Sequence, residues 1–170
     1  ANYNSTISMR DVTKSAEPLI TADQLPEVMR RAFSRLKNGR GGPCLVEIPN
    51  DIWHEEVPEP LNYRPVLRTK FGPDPAAVQQ AVELLSKAKR PVLYAGQGVH
   101  YAKAWPQLRR LAERLSIPVA TSLEGKSAFP EDHPLALGSG GAAIPATVRE
   151  FLDDADVIFG IGCSFTESAF

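Results

Sequence analysis

The chain has 170 residues, of which 43% are hydrophobic and 23% charged, and its net charge at neutral pH is −1. This length suffices for one domain or parts of two, and the balanced charge argues against nucleic acid and anionic membranes as partners. No apolar run approaches the roughly 20 residues that cross a bilayer, and no signal peptide opens the chain. The two cysteines, Cys44 and Cys163, are far apart and suit free thiols, so we expect a cytoplasmic protein.

The first part of the chain predicts a small α/β unit. Residues 8–14 could form a short strand, and a helix is predicted over 23–38 because apolar residues recur at three- and four-residue spacing. Thr21 or Asp23 can cap this helix, and Gly39 can end it. Residues 44–49 form an apolar run closed by proline, which indicates a strand, and 50–53 a single helical turn.

Prolines then interrupt the pattern. Pro58, Pro60, Pro65 and Pro73 recur in a stretch without helical or strand periodicity. Such a stretch is extended and semi-rigid, so we predict a linker over 58–73 that separates a first region, 1–57, from a second, 74–170.

The second region alternates helices and strands. Helices are predicted from Asp74 and over 103–115 and 146–153, and strands over 91–95, 117–121 and 156–162. A long Gly- and Pro-rich loop follows the second of these strands. The alternation predicts an α/β fold with a Rossmann-like, doubly wound parallel sheet flanked by helices.

Glycines follow the strands where such folds bind ligands. Gly96-Gln97-Gly98 could cradle a phosphate, but a tight turn explains it as well, because Tyr101 stands where the dinucleotide fingerprint has its third glycine. The Gly138–Gly141 stretch could equally be an anion nest or a lead into the next helix. If a nucleotide binds, the residues we expect to hold it are Gly96, Gly98, Thr121, Ser122, Gly138 and Gly162.

No catalytic residue and no metal ligand is predicted. The three histidines are scattered, so no nucleophile–base pair can be assembled from them. His133 lies with Glu131 and Asp132 between two prolines, where polar side chains cap turns. We interpret Glu47 as an edge-facing carboxylate and Trp105 as a core residue.

Several segments resemble acetolactate synthase-like enzymes that depend on thiamine diphosphate (ThDP). Residues 39–51, Gly-Arg-Gly-Gly-Pro-Cys-Leu-Val-Glu-Ile-Pro-Asn-Asp, resemble the end of their pyrimidine-binding domain, and Asp11-Val12-Thr13-Lys14 resembles a segment upstream of it. Residues 90–98, 117–140 and 155–162 resemble the first part of their central domain, in the same order.

The resemblance implies a division into three parts. Residues 1–57 would be the C-terminal part of the pyrimidine-binding domain, 58–73 the linker, and 74–170 an incomplete, Rossmann-like central domain. Because the chain starts without Met and stops soon after a predicted strand, we expect a fragment of a longer protein.

The resemblance also implies a function for the parent protein. Such enzymes are homodimers or homotetramers that bind ThDP and Mg²⁺ between subunits and decarboxylate a 2-keto acid or join it to a second carbonyl compound. The cofactor supplies the difficult chemistry and the protein orients it.

The family's functional motifs set the limits of this expectation. Its activating glutamate would precede residue 1, its Gly-Asp-Gly motif is absent, and we therefore expect the fragment alone to bind no ThDP and to be inactive. Ser164 and Ser168 stand where FAD-binding members have arginines, and since a hydroxyl cannot replace a guanidinium on a pyrophosphate, FAD is doubtful. The alternative is a stand-alone module that binds FAD, NAD or ADP in a regulatory or redox role.

Overall fold

A computed structural model describes residues 3–141 and 143–165, and the chain divides into two compact units, Ala1–Gly72 and Pro73–Phe170. Each unit has a parallel sheet of its own, with two strands in the first and four in the second. The α/β, Rossmann-like fold class predicted from the sequence is confirmed for the second unit.

The first unit combines short helices with a two-stranded parallel sheet. Its helices are α1 (Ser5–Ser8) and α2 (Leu25–Lys37), its strands are β1 (Ser15–Pro18) and β2 (Cys44–Glu47), and 3-10 turns cover Arg10–Val12, Ala22–Gln24 and Ile52–His54. Strands β1 and β2 pair in register from Ser15 opposite Cys44.

The strand predicted over 8–14 is wrong. The Asn4 side chain accepts a hydrogen bond from the amide of Ile7 at 2.8 Å and caps α1, and the 3-10 turn follows directly. The strand begins only at Ser15. A helix N-cap therefore prevails over the weak strand pattern that follows it.

Helix α2 provides the apolar face of the first unit. Its buried residues are Val28 and Ala32, and Val28 packs in one cluster with Leu19 and Ile52. Neither predicted cap bonds to the helix, because a 3-10 turn leads into it instead. Gly39, with φ +72°, follows the C-terminus of the helix as predicted.

Polar side chains fasten the rest of this unit to α2. The Lys14 ammonium donates to the carbonyls of Asn38 at 3.0 Å and Arg40 at 2.7 Å, and also to that of Arg35. Arg31 of α2 pairs with Glu17 of β1 at 2.8 Å. These contacts tie the start and the body of β1 to the C-terminal half of the helix.

The Pro-rich residues 58–73 form no helix or strand, as predicted, but most of them belong to the first unit. The Lys37 ammonium donates to the carbonyl of Val66 at 2.7 Å, and the Asn38 side chain accepts from the amide of Thr69 at 2.8 Å. The segment is therefore held along α2 as far as Thr69.

The second unit consists of four helices and four strands in the described residues. The helices are α3 (Pro75–Lys87), α4 (Gly98–Ala102), α5 (Trp105–Leu115) and α6 (Ala146–Asp153); the strands are β3 (Pro91–Ala95), β4 (Val119–Thr121), β5 (Ala136–Ser139) and β6 (Val157–Ile161). The strand order is β5-β4-β3-β6, and every pair is parallel.

Strand β3 lies at the centre of the core. Leu93 and Ala95 pack on one face with residues of α5, while Val92 and Tyr94 pack on the other with Val148 of α6. All four strand residues are at most 1% exposed. A strand covered on both faces has the continuous apolar run that the sequence shows.

Two elements of this unit are absent from the sequence prediction. Strand β5 lies inside the predicted long loop, and α4 fills the turn between β3 and α5. Helix α3 begins as predicted, since the Asp74 side chain accepts from the amide of Ala76 at 2.9 Å.

Candidate functional site at the carboxyl edge of the second sheet

The candidate site lies where the parallel strands of the second sheet end. The chain proceeds outward from β3 to β4 and β5, and then returns to the other side of β3 with β6. The ends of β3 and β6 therefore form the topological switch point, where open α/β sheets usually have their ligand crevice. Gly96 and Gly98 follow β3, and Gly162 follows β6.

At this point the glycines bring two backbone segments into direct contact. The Gly98 amide donates to the Gly162 carbonyl at 2.8 Å, and the Gly96 amide donates to the Ile161 carbonyl at 2.9 Å. A Cβ on Gly98 would lie 2.7 Å from the Cα of Gly162. A Cβ on Gly96 would lie 2.5 Å from the carbonyl oxygen of Gly162. The amides that a phosphate would need are already used, so the geometry favours the tight-turn interpretation of Gly96-Gln97-Gly98.

The hydroxyl groups at this edge bond to neighbouring protein groups. Thr121 is buried, and its Oγ1 lies 3.0 Å from the Oγ of Ser139 on β5. Ser122 is also buried, and its Oγ accepts from the amide of Gly125 at 3.0 Å. The first contact joins the ends of β4 and β5, and the second stabilises the turn after β4.

Gly138 lies within β5 itself. It stands opposite Ala120 at an irregularity in the β4–β5 register and has φ +111°. Its left-handed backbone conformation explains the glycine without a ligand. The six predicted residues thus line one edge of one sheet, and their role in nucleotide binding stays a prediction.

Two titratable groups at the same edge are held in their neutral forms. Burial raises the pKa of Tyr94, and electrostatic interactions with the thiol group of Cys163 and the carboxylate of Glu124 raise it further. Burial also raises the pKa of the Cys163 thiol. At neutral pH neither group is a ready nucleophile or base.

The other polar residues singled out in the sequence have structural partners. The Nδ1 of His133 accepts from the Leu135 amide at 3.1 Å, which confirms the turn-capping interpretation. Glu47 is half-buried and accepts from the Thr6 hydroxyl at 2.5 Å. The prediction for Trp105 is wrong: its side chain is 41% exposed, because its indole N–H reaches outward to His100 at 3.0 Å.

The donor set of the described residues does not fit Mg²⁺. Among residues 3–141 and 143–165, no three His, Cys, Asp or Glu side chains are grouped to hold a metal ion. In the same part of the chain, no helix combines the length and apolarity needed to cross a bilayer. Ser168 lies outside the described residues, and Ser164 is exposed after β6.

A cavity of about 370 Å³ lies at the opposite, amino-terminal edge of this sheet. It is lined by Lys89, Arg90, Pro91, Val92, Ser116, Pro118, Glu150, Phe151 and Asp154. Arg90 and Asp154 pair with each other across 2.7 Å, so charges in the cavity are partly neutralised by the protein itself. It is remote from the carboxyl ends of the strands and contains none of the predicted site residues.

Strand β5 contributes to the candidate edge, although the sequence does not predict this strand. Strand β5 brings Ser139 against Thr121, and the Gly140 amide donates to the Thr121 carbonyl at 2.6 Å. A Cβ on Gly140 would lie 2.8 Å from the Tyr94 hydroxyl oxygen. The only sequence signal for this contribution is the Gly-Ser-Gly-Gly stretch at 138–141, and its glycines predict a loop rather than a strand.

Comparison with known proteins identifies the family. The family model for the central domain of thiamine pyrophosphate enzymes matches residues 78–170. The acetolactate synthase large subunit of Corynebacterium glutamicum is 36% identical over 163 residues, covering 92% of this chain and 25% of that protein. The glyoxylate carboligase of Escherichia coli O157:H7 is 35% identical over 161 residues, covering 92% of this chain and 27% of that protein.

A solved structure extends the similarity to the fold of both units. The benzoylformate decarboxylase of Polynucleobacter necessarius superposes with a TM-score of 0.79 at 28% identity, covering 89% of this chain and 28% of that one. The chain thus spans about a quarter of the length of the curated relatives that it matches. It belongs to the acetolactate synthase-like family of thiamine diphosphate-dependent enzymes, and its residues 78–170 match their central domain.

Proposed function

We propose that the chain is a non-catalytic segment of an enzyme that uses ThDP and Mg²⁺ to decarboxylate 2-keto acids or to join them to a second carbonyl compound. Residues 1–57 would end the pyrimidine-binding domain, 58–73 would connect it to the next domain, and 74–170 would begin the central domain. The relatives are an acetolactate synthase, a glyoxylate carboligase and a benzoylformate decarboxylase, and the activities that these names state are all of this chemical class.

The observation that carries the non-catalytic role is the direct backbone contact at the switch point. Gly98 and Gly162 meet through a 2.8 Å hydrogen bond, so this edge supports packing of the sheet better than it supports a phosphate site. The lack of a metal-binding group among the described residues favours the same role. We infer that ThDP and Mg²⁺ are held by parts of the protein outside this segment.

For the whole enzyme we propose a cytoplasmic homodimer or homotetramer in which the central domain is structural. The test is an assay of the full-length protein with pyruvate, glyoxylate or benzoylformate, with and without ThDP and Mg²⁺, measuring release of carbon dioxide and the coupled product. We expect activity with at least one of these acids that depends on both cofactors. Absence of cofactor-dependent turnover with all three acids counts against the proposal.

The alternative, a nucleotide-binding module with a regulatory or redox role, is tested by calorimetric titration with FAD, NAD and ADP. Because the Gly96 and Gly98 amides are occupied, we expect no saturable heat from any of them. Saturable binding that is lost in the Gly98→Ala variant would favour the alternative. The same titration decides whether the predicted residues at this edge bind a nucleotide.

A further inference from the structure

His100 connects three elements on the surface of the second unit. It lies in α4, and its Nδ1 is 3.0 Å from the indole nitrogen of Trp105 at the start of α5. Its Nε2 is 2.9 Å from the carbonyl oxygen of Lys126, in the turn that follows β4. Both ring nitrogens therefore have a protein partner.

These partners determine the protonation state of the ring. An indole N–H can only donate a hydrogen bond, so Nδ1 must be unprotonated to accept it. A backbone carbonyl can only accept, so Nε2 must carry the proton. The arrangement requires the neutral imidazole with its proton on Nε2.

Protonation of His100 would abolish one of the two bonds. In the imidazolium both nitrogens are donors, so an N–H on Nδ1 would face the N–H of Trp105. The bond to the Lys126 carbonyl would persist, since a charged donor strengthens it. Acid therefore acts selectively on the contact between the ring and Trp105.

The segments that contact His100 contain few titratable residues. In sequence these are Tyr101 and Lys103 next to the histidine, and Glu124 and Lys126 in the turn that it contacts; residues 104–108 contain none. Among the described residues, no carboxylate pairs with His100. His133 differs, because the Oε1 of Glu113 lies 3.3 Å from its Nε2.

We propose that His100 is a pH-sensitive latch that holds the Trp105 side chain against α4 and releases it when the ring is protonated. Trp105 is already 41% exposed, so its release requires no unfolding of the core. The latch does not depend on the proposed enzymatic function.

The test uses the 170-residue chain with Trp53→Phe, which leaves Trp105 as the single tryptophan. Emission and acrylamide quenching are followed from pH 8 to pH 5. We expect a reversible one-proton transition in which quenching of Trp105 increases by up to about twofold, because the residue is already 41% exposed before release. Quenching that is independent of pH would overturn the proposal.

A matched pair of variants identifies the responsible ring. His100→Gln keeps an acceptor for the indole and a donor for the carbonyl but does not titrate, so the transition should disappear. His133→Gln, in the same unit, should retain it. A transition that persists in His100→Gln, including one caused by general acid unfolding, would refute the latch.

Discussion

In the second unit of the chain the central strand is sealed on both faces, with Leu93 and Ala95 fully buried, whereas no residue of β2 in the first unit is fully buried. The first unit relies instead on polar side chains that tie its segments to α2. Lys14 donates to carbonyls at the end of α2, and Glu47 accepts from the first helix. Substitutions and pH should therefore affect the two units differently.

The two tryptophans allow the units to be followed separately. Trp53 lies in the first unit and Trp105 in the second, and the chain contains no other tryptophan. Urea unfolding of the Trp53→Phe and Trp105→Phe backgrounds reports on one unit at a time. The three stability predictions below are each a change in one of these two transitions.

The largest effect is expected for Gly162→Ala in the second unit. Gly162 has φ +63°, and a Cβ there would lie 2.7 Å from the Val99 amide nitrogen. Left-handed strain and backbone overlap together should lower the free energy of unfolding by about 3 kcal/mol.

The control for Gly162 is Gly72→Ala, where an added Cβ meets nothing within 4 Å. We expect its Trp105 transition to match that of the parent chain. Equal stabilities for the two alanine variants would show that the contact between β3 and β6 is looser than described.

A smaller effect is expected for Lys14→Met in the first unit. The substitution keeps the aliphatic stem but removes the ammonium that bonds to the carbonyls of Asn38 and Arg40. Because the site is exposed, the loss should be about 1 kcal/mol, seen in the Trp53 transition alone. Lys70 is another exposed lysine of the same unit, and Lys70→Met should leave the Trp53 transition unchanged. A similar loss of stability in Lys70→Met would contradict a specific role for the hydrogen bonds from Lys14.

The smallest effect is a pH dependence of the first unit. Hydrogen bonds from the Thr6 and Ser5 side chains lower the pKa of Glu47. A carboxylate whose folded-state pKa is lowered stabilises the fold above its unfolded-state pKa, and this contribution is lost as the pH falls through the lowered folded-state value.

In Glu47→Gln, the free energy of unfolding measured by the Trp53 transition should therefore depend less strongly on pH in the acid range. Glu59→Gln, an exposed carboxylate of the same unit, should leave it unchanged. If both variants follow the parent chain through the acid range, the Glu47 contact with α1 contributes nothing to stability.

Much of the second unit could be predicted because its sequence signals are local. The apolar run of residues 91–95 identifies a buried strand, and Asp74 followed by Pro75 identifies a helix start. Strand β5 cannot be predicted from the sequence because its four residues include Gly138, and glycine disfavours strands in general. Its pairing with β4 depends on residues distant in the sequence, so no local pattern reveals it.

The candidate site shows the same division between local and distant information. The sequence locates the glycines after β3 and β6, but it cannot show whether their amides face solvent or another backbone segment. Only the tertiary pairing shows that the Gly98 amide donates to the Gly162 carbonyl. The wrong prediction for Trp105 has a related reason. Its helical spacing suits a core position, and its hydrogen-bond partner, His100, is identified only from the three-dimensional structure.

The most direct test of the central claim is a calorimetric titration of the 170-residue chain with ThDP in the presence of Mg²⁺. Our account assigns this cofactor to parts of the enzyme outside the chain and predicts heats no larger than those of dilution. Saturable binding with a stoichiometry near one ThDP per chain would contradict it.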